Sequence, residues 1–169
     1  AGSSSVFVGD DLYVMRGLSD KAFWKYDSVL NEWIEREDLP FPAYYGASMT
    51  SNGSGLIYVI FGGYSKKFYQ YDTATGDWTA LPDLLDTTWT GASISFDGTN
   101  PYVLRGNAST DFWRYNVALG EWQSLAPISA TASTGASLVY GQNGNFYTPR
   151  GANTLTFYRY NVATNTWSA

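Results

Sequence analysis

The chain of 169 residues is 18% aromatic and rich in glycine, yet only 15% charged, with a formal net charge of -5. That balance supports one domain with an apolar core, excludes a disordered chain, and argues against a general nucleic-acid binder, which needs a surplus of lysine and arginine. Cysteine and histidine are both absent, which removes disulfides, thiolate chemistry and the common nucleophilic triads.

Four units follow one another. The first, 1–43, opens on Gly2-Ser3-Ser4 and turns at "GDD" into "LYVMR", which Gly17 ends. A third strand, "FWKYD", and a fourth starting at Trp33 complete it. The second, 44–88, runs Gly46-Ala47-Ser48, the turn "SNGSG", "IYVIF" to Gly62, "FYQYD" and Trp78. The third, 89–132, runs Gly91-Ala92-Ser93, "DGTN", "PYVLR" to Gly106, "FWRYN" and Trp122. The fourth, 133–169, runs Gly135-Ala136-Ser137, "GQNGN", "FYTPR" to Gly151, "FYRYN" and Trp167.

The four tryptophans lie 45, 44 and 45 residues apart, and Tyr26, Tyr71, Tyr115 and Tyr160 keep the same beat. Several landmarks holding register over four copies signal a repeat architecture. Turn residues separate short β-type runs, and no helical period is sustained. The fold class is therefore all-β: a four-bladed β-propeller in which each blade is a four-stranded antiparallel sheet. Alternation along "FWRYN" puts Trp113 and Tyr115 on one face and Phe112 and Arg114 on the other. A blade packed on both sides needs bulk on both faces, so the repeated aromatics are expected in the core.

The order Gly-x-Ser, Tyr-Val-x-x-Gly, Tyr-Asp, Trp resembles the kelch repeat over nearly the whole chain. The double glycine of that repeat is kept as Gly62-Gly63, whereas Arg16-Gly17, Arg105-Gly106 and Arg150-Gly151 resemble bacterial kelch-type sequences. The resemblance implies a propeller whose loop faces bind partners. It does not extend to the copper oxidases of this class, whose histidine ligands and cysteine-modified tyrosine have no counterpart here.

Candidate binding residues fall into two groups. Arg16, Arg105 and Arg150 recur before the landmark glycine, where blade two has Phe61; a ring of such cations suits a carboxylate or an acidic sugar. The alternative is structural: these cations, with those at Lys25, Arg114 and Arg159, could pair with a nearby acid such as Asp27 or cap turn carbonyls. Tyr44, Tyr45 and Trp89 stand in the connectors, where the last connector has no aromatic; they either pack between blades or form a contact surface. Connectors and second-to-third-strand loops are expected on one face. Asn52 and Asn107 head Asn-x-Ser sequons in loops and are possible glycosylation sites.

No catalytic residue, metal ligand or cofactor is assigned. Most acids sit in turns or just before the tryptophan, as Glu32, Asp77 and Glu121 do, and no run approaches the roughly 20 apolar residues of a membrane span. The chain begins with Ala and shows no leader, so it is read as a processed mature chain, an excised fragment or a designed chain, and the expected location is outside the cell or at its surface. The expected function is a non-enzymatic extracellular module that binds a protein or glycan partner, with a lectin-like carbohydrate binder and a self-assembling structural protein as alternatives. Closure as a single-chain ring is slightly favoured over pairing of two chains or a larger array. Pro149 within a second strand fits an irregular or terminal blade.

Overall fold

The computed structural model describes residues 2–169. Blade one holds β1 (Ser4–Val8), β2 (Asp11–Met15), β3 (Phe23–Asp27) and β4 (Glu32–Glu35); blade two holds β5 (Ser48–Ser51), β6 (Leu56–Ile60), β7 (Phe68–Asp72) and β8 (Trp78–Leu81). Blade three holds β9 (Ser93–Phe96), β10 (Pro101–Leu104), β11 (Phe112–Asn116) and β12 (Glu121–Ser124), and blade four β13 (Val139–Tyr140), β14 (Asn145–Pro149), β15 (Phe157–Asn161) and β16 (Thr166–Ser168). Each blade is an antiparallel meander in sequence order. No described residue lies in a helix, so none of the described structure is a helix able to cross a membrane.

Cross-strand register explains the Tyr-to-Trp spacing. Tyr26 faces Trp33, Tyr71 faces Trp78, Tyr115 faces Trp122 and Tyr160 faces Trp167. Ring centroids in these pairs are 5.2, 4.8, 5.3 and 5.0 Å apart. The Asp or Asn that follows each Tyr caps the third-to-fourth-strand turn. Asp27 Oδ1, for example, accepts from the Val29 and Leu30 amides, each at 3.0 Å.

The innermost strands β1, β5, β9 and β13 lie beside one another in sequence order. Three apolar clusters fill the three junctions between successive blades. Phe112 faces blade four, while Trp113 and Tyr115 face blade two, the alternation read from the sequence. At each junction a phenylalanine enters the Tyr–Trp pair of the next blade. Phe23 meets Tyr71 and Trp78 at 5.0 and 5.3 Å; Phe68 meets Tyr115 and Trp122 at 5.1 and 4.9 Å; Phe112 meets Tyr160 and Trp167 at 4.7 and 4.9 Å.

Polar latches repeat beside these contacts. The indole N–H groups of Trp78, Trp122 and Trp167 donate to the carbonyls of Glu37, Pro82 and Ala126 at 3.2, 3.0 and 2.9 Å. Ser4, Ser48 and Ser93 accept from the backbone N–H groups of Met49, Ile94 and Leu138 at 3.2, 3.4 and 3.0 Å. The Gly-x-Ser triplet therefore couples each first strand to the next.

The single-chain ring is not formed. No apolar cluster among the described residues joins blade four to blade one, and both outer faces remain open, with Trp33 58% and Phe157 54% exposed. Blade four is also irregular, for a local reason. The Arg150 N–H points to the third strand, bonding Thr156, so the position before it should donate toward the first strand. Pro149 has no N–H to give, and β13 is only two residues long.

Candidate functional site

Connectors and second-to-third-strand loops share one face, held by backbone bridges between Asp20 and Ala43, Ser65 and Thr88, and Ser109 and Ala132. Each loop contains three consecutive residues of positive φ. In blade two these are Gly62, Gly63 and Tyr64, at 64°, 64° and 60°. The second position is Leu18, Asn107 or Ala152 in the other blades, and the third is Ser19, Ala108 or Asn153. The arginines of the Arg-Gly pairs thus align with Phe61. What the other blades replace is the second glycine of Gly62-Gly63.

Tyr64 is the aromatic member of this third-position set. Its N–H donates to the Thr88 carbonyl at 2.9 Å, and its left-handed backbone sets the ring flat on Trp89. The two rings lie 4.4 Å apart at an interplanar angle of 7°. Tyr45 flanks Trp89 at 5.3 Å. Trp89 is half-buried, whereas Tyr64 and Tyr45 are 58% and 45% exposed. The result is an aromatic ledge where blades two and three meet, next to the starts of β5 and β9. Tyr44 is exposed but stands apart from the ledge, packed over Gly63, where a Cβ would lie 2.8 Å from its own Cβ.

The three arginines do not act alike. Arg105 is locked in place: its guanidinium meets Asp111 at 2.8 Å and Asp86 at 2.7 Å, and its Nε donates to the Thr87 carbonyl at 3.0 Å. Burial works against the Asp111 carboxylate, but hydrogen bonds from Ser109 and Arg105 outweigh it and hold its pKa below the usual range. Arg16 is mostly exposed and pairs with Asp20 at 3.2 Å. Arg150 keeps the bond to a connector carbonyl, Thr131 at 3.0 Å, and has no carboxylate partner among the described residues. Pairing with acids therefore occurs at Arg16, Arg105 and Lys25, and Arg105 and Arg150 also bond a connector carbonyl. The Lys25 ammonium meets Asp11 and Asp27, both at 2.9 Å, and these hydrogen bonds raise its pKa.

The two sequons lie in loops at opposite ends of the second strand. Asn52 turns its Oδ1 inward to accept from the Ser54 and Leu56 amides at 2.8 and 3.0 Å. Asn107 occupies a positive-φ loop position on the connector face. An acidic cleft of about 420 Å³ lies at the junction of blades one and two, lined by Glu37, Asp38 and Asp77 beside Tyr69 and Trp78. No group of three or more acids positioned to hold a metal occurs among the described residues.

No family model matches the chain, and no curated protein matches it. Among solved structures it is similar to the β-propeller-like protein titled "Structure of YjhT", with a TM-score of 0.79 at 15% sequence identity. The match covers 99% of this chain and 64% of that one, so the chain spans under two thirds of that protein's length. At this identity the likeness shows the fold: an all-β propeller of four four-stranded blades.

Proposed function

We propose that the chain is a non-enzymatic, kelch-like binding module that works outside the cell or at its surface and holds a macromolecular partner on the connector face. The carrying observation is the ledge of Tyr45, Trp89 and Tyr64. Repeats keep residues that build the fold, and this ledge breaks the repeat: Tyr64 is replaced by Ser19, Ala108 and Asn153, and Trp89 by Ser133 in the next connector. Exposed aromatics presented on a rigid sheet fold supply contact area at low entropic cost. The motif order supports the kelch reading. Absence of cysteine and sparse charge fit an extracellular setting, and absence of histidine and cysteine removes the usual nucleophile–base pairs.

A lectin-like variant of this reading is favoured by one feature. The Tyr64 ring is backed by Trp89 on one side and open on the other, a shape suited to the apolar face of a sugar. Parallel screening of a glycan array and a displayed peptide library tests both forms. The expected result is binding that is lost in Trp89→Ala and Tyr64→Ser, with the fold intact. Ligands retained by both variants would show that the ledge is not the site.

A further inference from the structure

Each junction in the chain is built from two complementary halves, and one of each half is left over. The giving half is a Tyr–Phe pair: Tyr13–Phe23, Tyr58–Phe68 and Tyr102–Phe112, with centroids 5.8, 5.9 and 5.8 Å apart and interplanar angles of 29°, 17° and 32°. Tyr147–Phe157 has the same form, 6.0 Å apart at 21°, on the open face of blade four. The receiving half is the Tyr–Trp pair, and Tyr26–Trp33 presents it on the open face of blade one. Beside it Val14, Trp24 and Trp33 line an apolar cleft of about 320 Å³.

The latches are left half-made in the same places. Trp33, unlike Trp78, Trp122 and Trp167, has no indole acceptor among the described residues. Ser137, unlike Ser4, Ser48 and Ser93, accepts no N–H from a following first strand among the described residues. Gly2, Gly46 and Gly91 each sit under a connector carbonyl so close that a Cβ would lie 2.0 to 2.1 Å from its oxygen, whereas Gly135 meets no carbonyl.

Charge adds a direction. Blade one (1–43) carries eight acids against four cations, while blade four (133–169) carries Arg150 and Arg159 and no acid. Arg159 lies on the open face of blade four, opposite Tyr147 in the β14–β15 register. Opposite charge at the two ends favours head-to-tail contact and disfavours like ends meeting.

We propose that the occupant of each open face is a second copy of this chain: Phe157 of one copy enters the Tyr26–Trp33 pair of another, reproducing the internal junction between molecules. Such a heterologous contact closes a ring where the rotation allows and grows an open array where it does not. The interface is separate from the aromatic ledge and does not depend on it.

Light scattering after size exclusion, over a dilution series, reads the mass against 18.7 kDa for one chain. Wild type is expected at two copies or more, with association weakened by salt. Trp33→Lys and Phe157→Glu, at exposed positions, are each expected at one copy. Mixed together they retain one good receiving face and one good giving face, so a one-to-one complex is expected. Isotope-labelled and unlabelled copies carrying a photo-crosslinking phenylalanine at position 157 supply an independent measurement, with cross-links between copies expected at residues 24–33. A wild-type monomer at every concentration, association that survives either variant, a mixture that stays monomeric, or cross-links elsewhere would overturn the proposal.

Discussion

The Trp122 indole donates its N–H to the Pro82 carbonyl, 3.0 Å away, and so ties the third blade to the connector leaving the second. The same bond recurs at Trp78 and Trp167, and Trp33 alone of the four makes none among the described residues. Trp122→Phe should therefore cost about 1–2 kcal/mol from the lost bond and lost volume. Trp33→Phe, at a half-exposed ring, should cost less than about 0.5 kcal/mol. Urea unfolding of the two variants measures the difference; equal costs would mean that the latch carries no weight.

Backbone conformation separates two substitutions that look alike in the sequence. Gly106 has a φ of 67°, and a Cβ there would lie 2.2 Å from the Ala92 nitrogen. Gly106→Ala should cost more than about 3 kcal/mol, because neither backbone segment can withdraw. Ala152 has a φ of 54° at the place of Gly63, so Ala152→Gly should stabilise by about 0.5–1 kcal/mol, a rise of a few degrees in Tm. Calorimetry checks both signs.

Arg105 and Arg150 stand at equivalent positions with different surroundings. Arg105→Gln should cost about 1–2 kcal/mol, since it frees Asp111, Asp86 and the Thr87 carbonyl. Arg150→Gln should change stability by less than about 1 kcal/mol. Asp111 has a lowered folded pKa, so its contribution is present above the unfolded carboxylate value and is lost as pH falls through the folded one. The stability gap between wild type and Arg105→Gln should accordingly narrow in acid.

Tyrosine burial sets the alkaline limit. Burial raises the pKa of Tyr58, Tyr71, Tyr102 and Tyr115, and pushes Tyr160 up to about 12. Unfolded tyrosines ionise near 10, so the stabilisation is complete below about pH 10 and falls as pH rises through the folded values. With no histidine, stability should stay nearly flat from about pH 6 to 9. Thermal melts across this range, with absorbance reporting tyrosinate, check the shape; a steep loss near neutral pH would contradict it.

The spacing of glycines, tyrosines and tryptophans was enough to place sixteen strands in four meanders, because each landmark answers to one local constraint: a positive φ, a cross-strand pair or a turn. Which face meets which blade was less legible. Tyr71 and Tyr26 read alike, yet one lies in a junction and the other on an open face, a difference made by neighbours and not by local pattern. The phenylalanines at 23, 68, 112 and 157 share the same beat and would have shown the missing fourth junction. At the ledge, Tyr45 and Trp89 stand out in the sequence as connector aromatics, while Tyr64 does not belong to a connector. Its signal was an aromatic at a loop position filled elsewhere by serine, alanine and asparagine.

The four blades interlock in a run that is open at both ends. Hydroxyl-radical footprinting of the dilute monomer, read residue by residue by mass spectrometry, tests it directly. Trp33 and Phe157 should label as readily as exposed Tyr64, while Phe68 and Phe112 stay protected, and raising the concentration should protect Trp33 and Phe157 together. Protection of Trp33 and Phe157 in the dilute monomer would mean that the chain closes on itself and that the outer faces are not open.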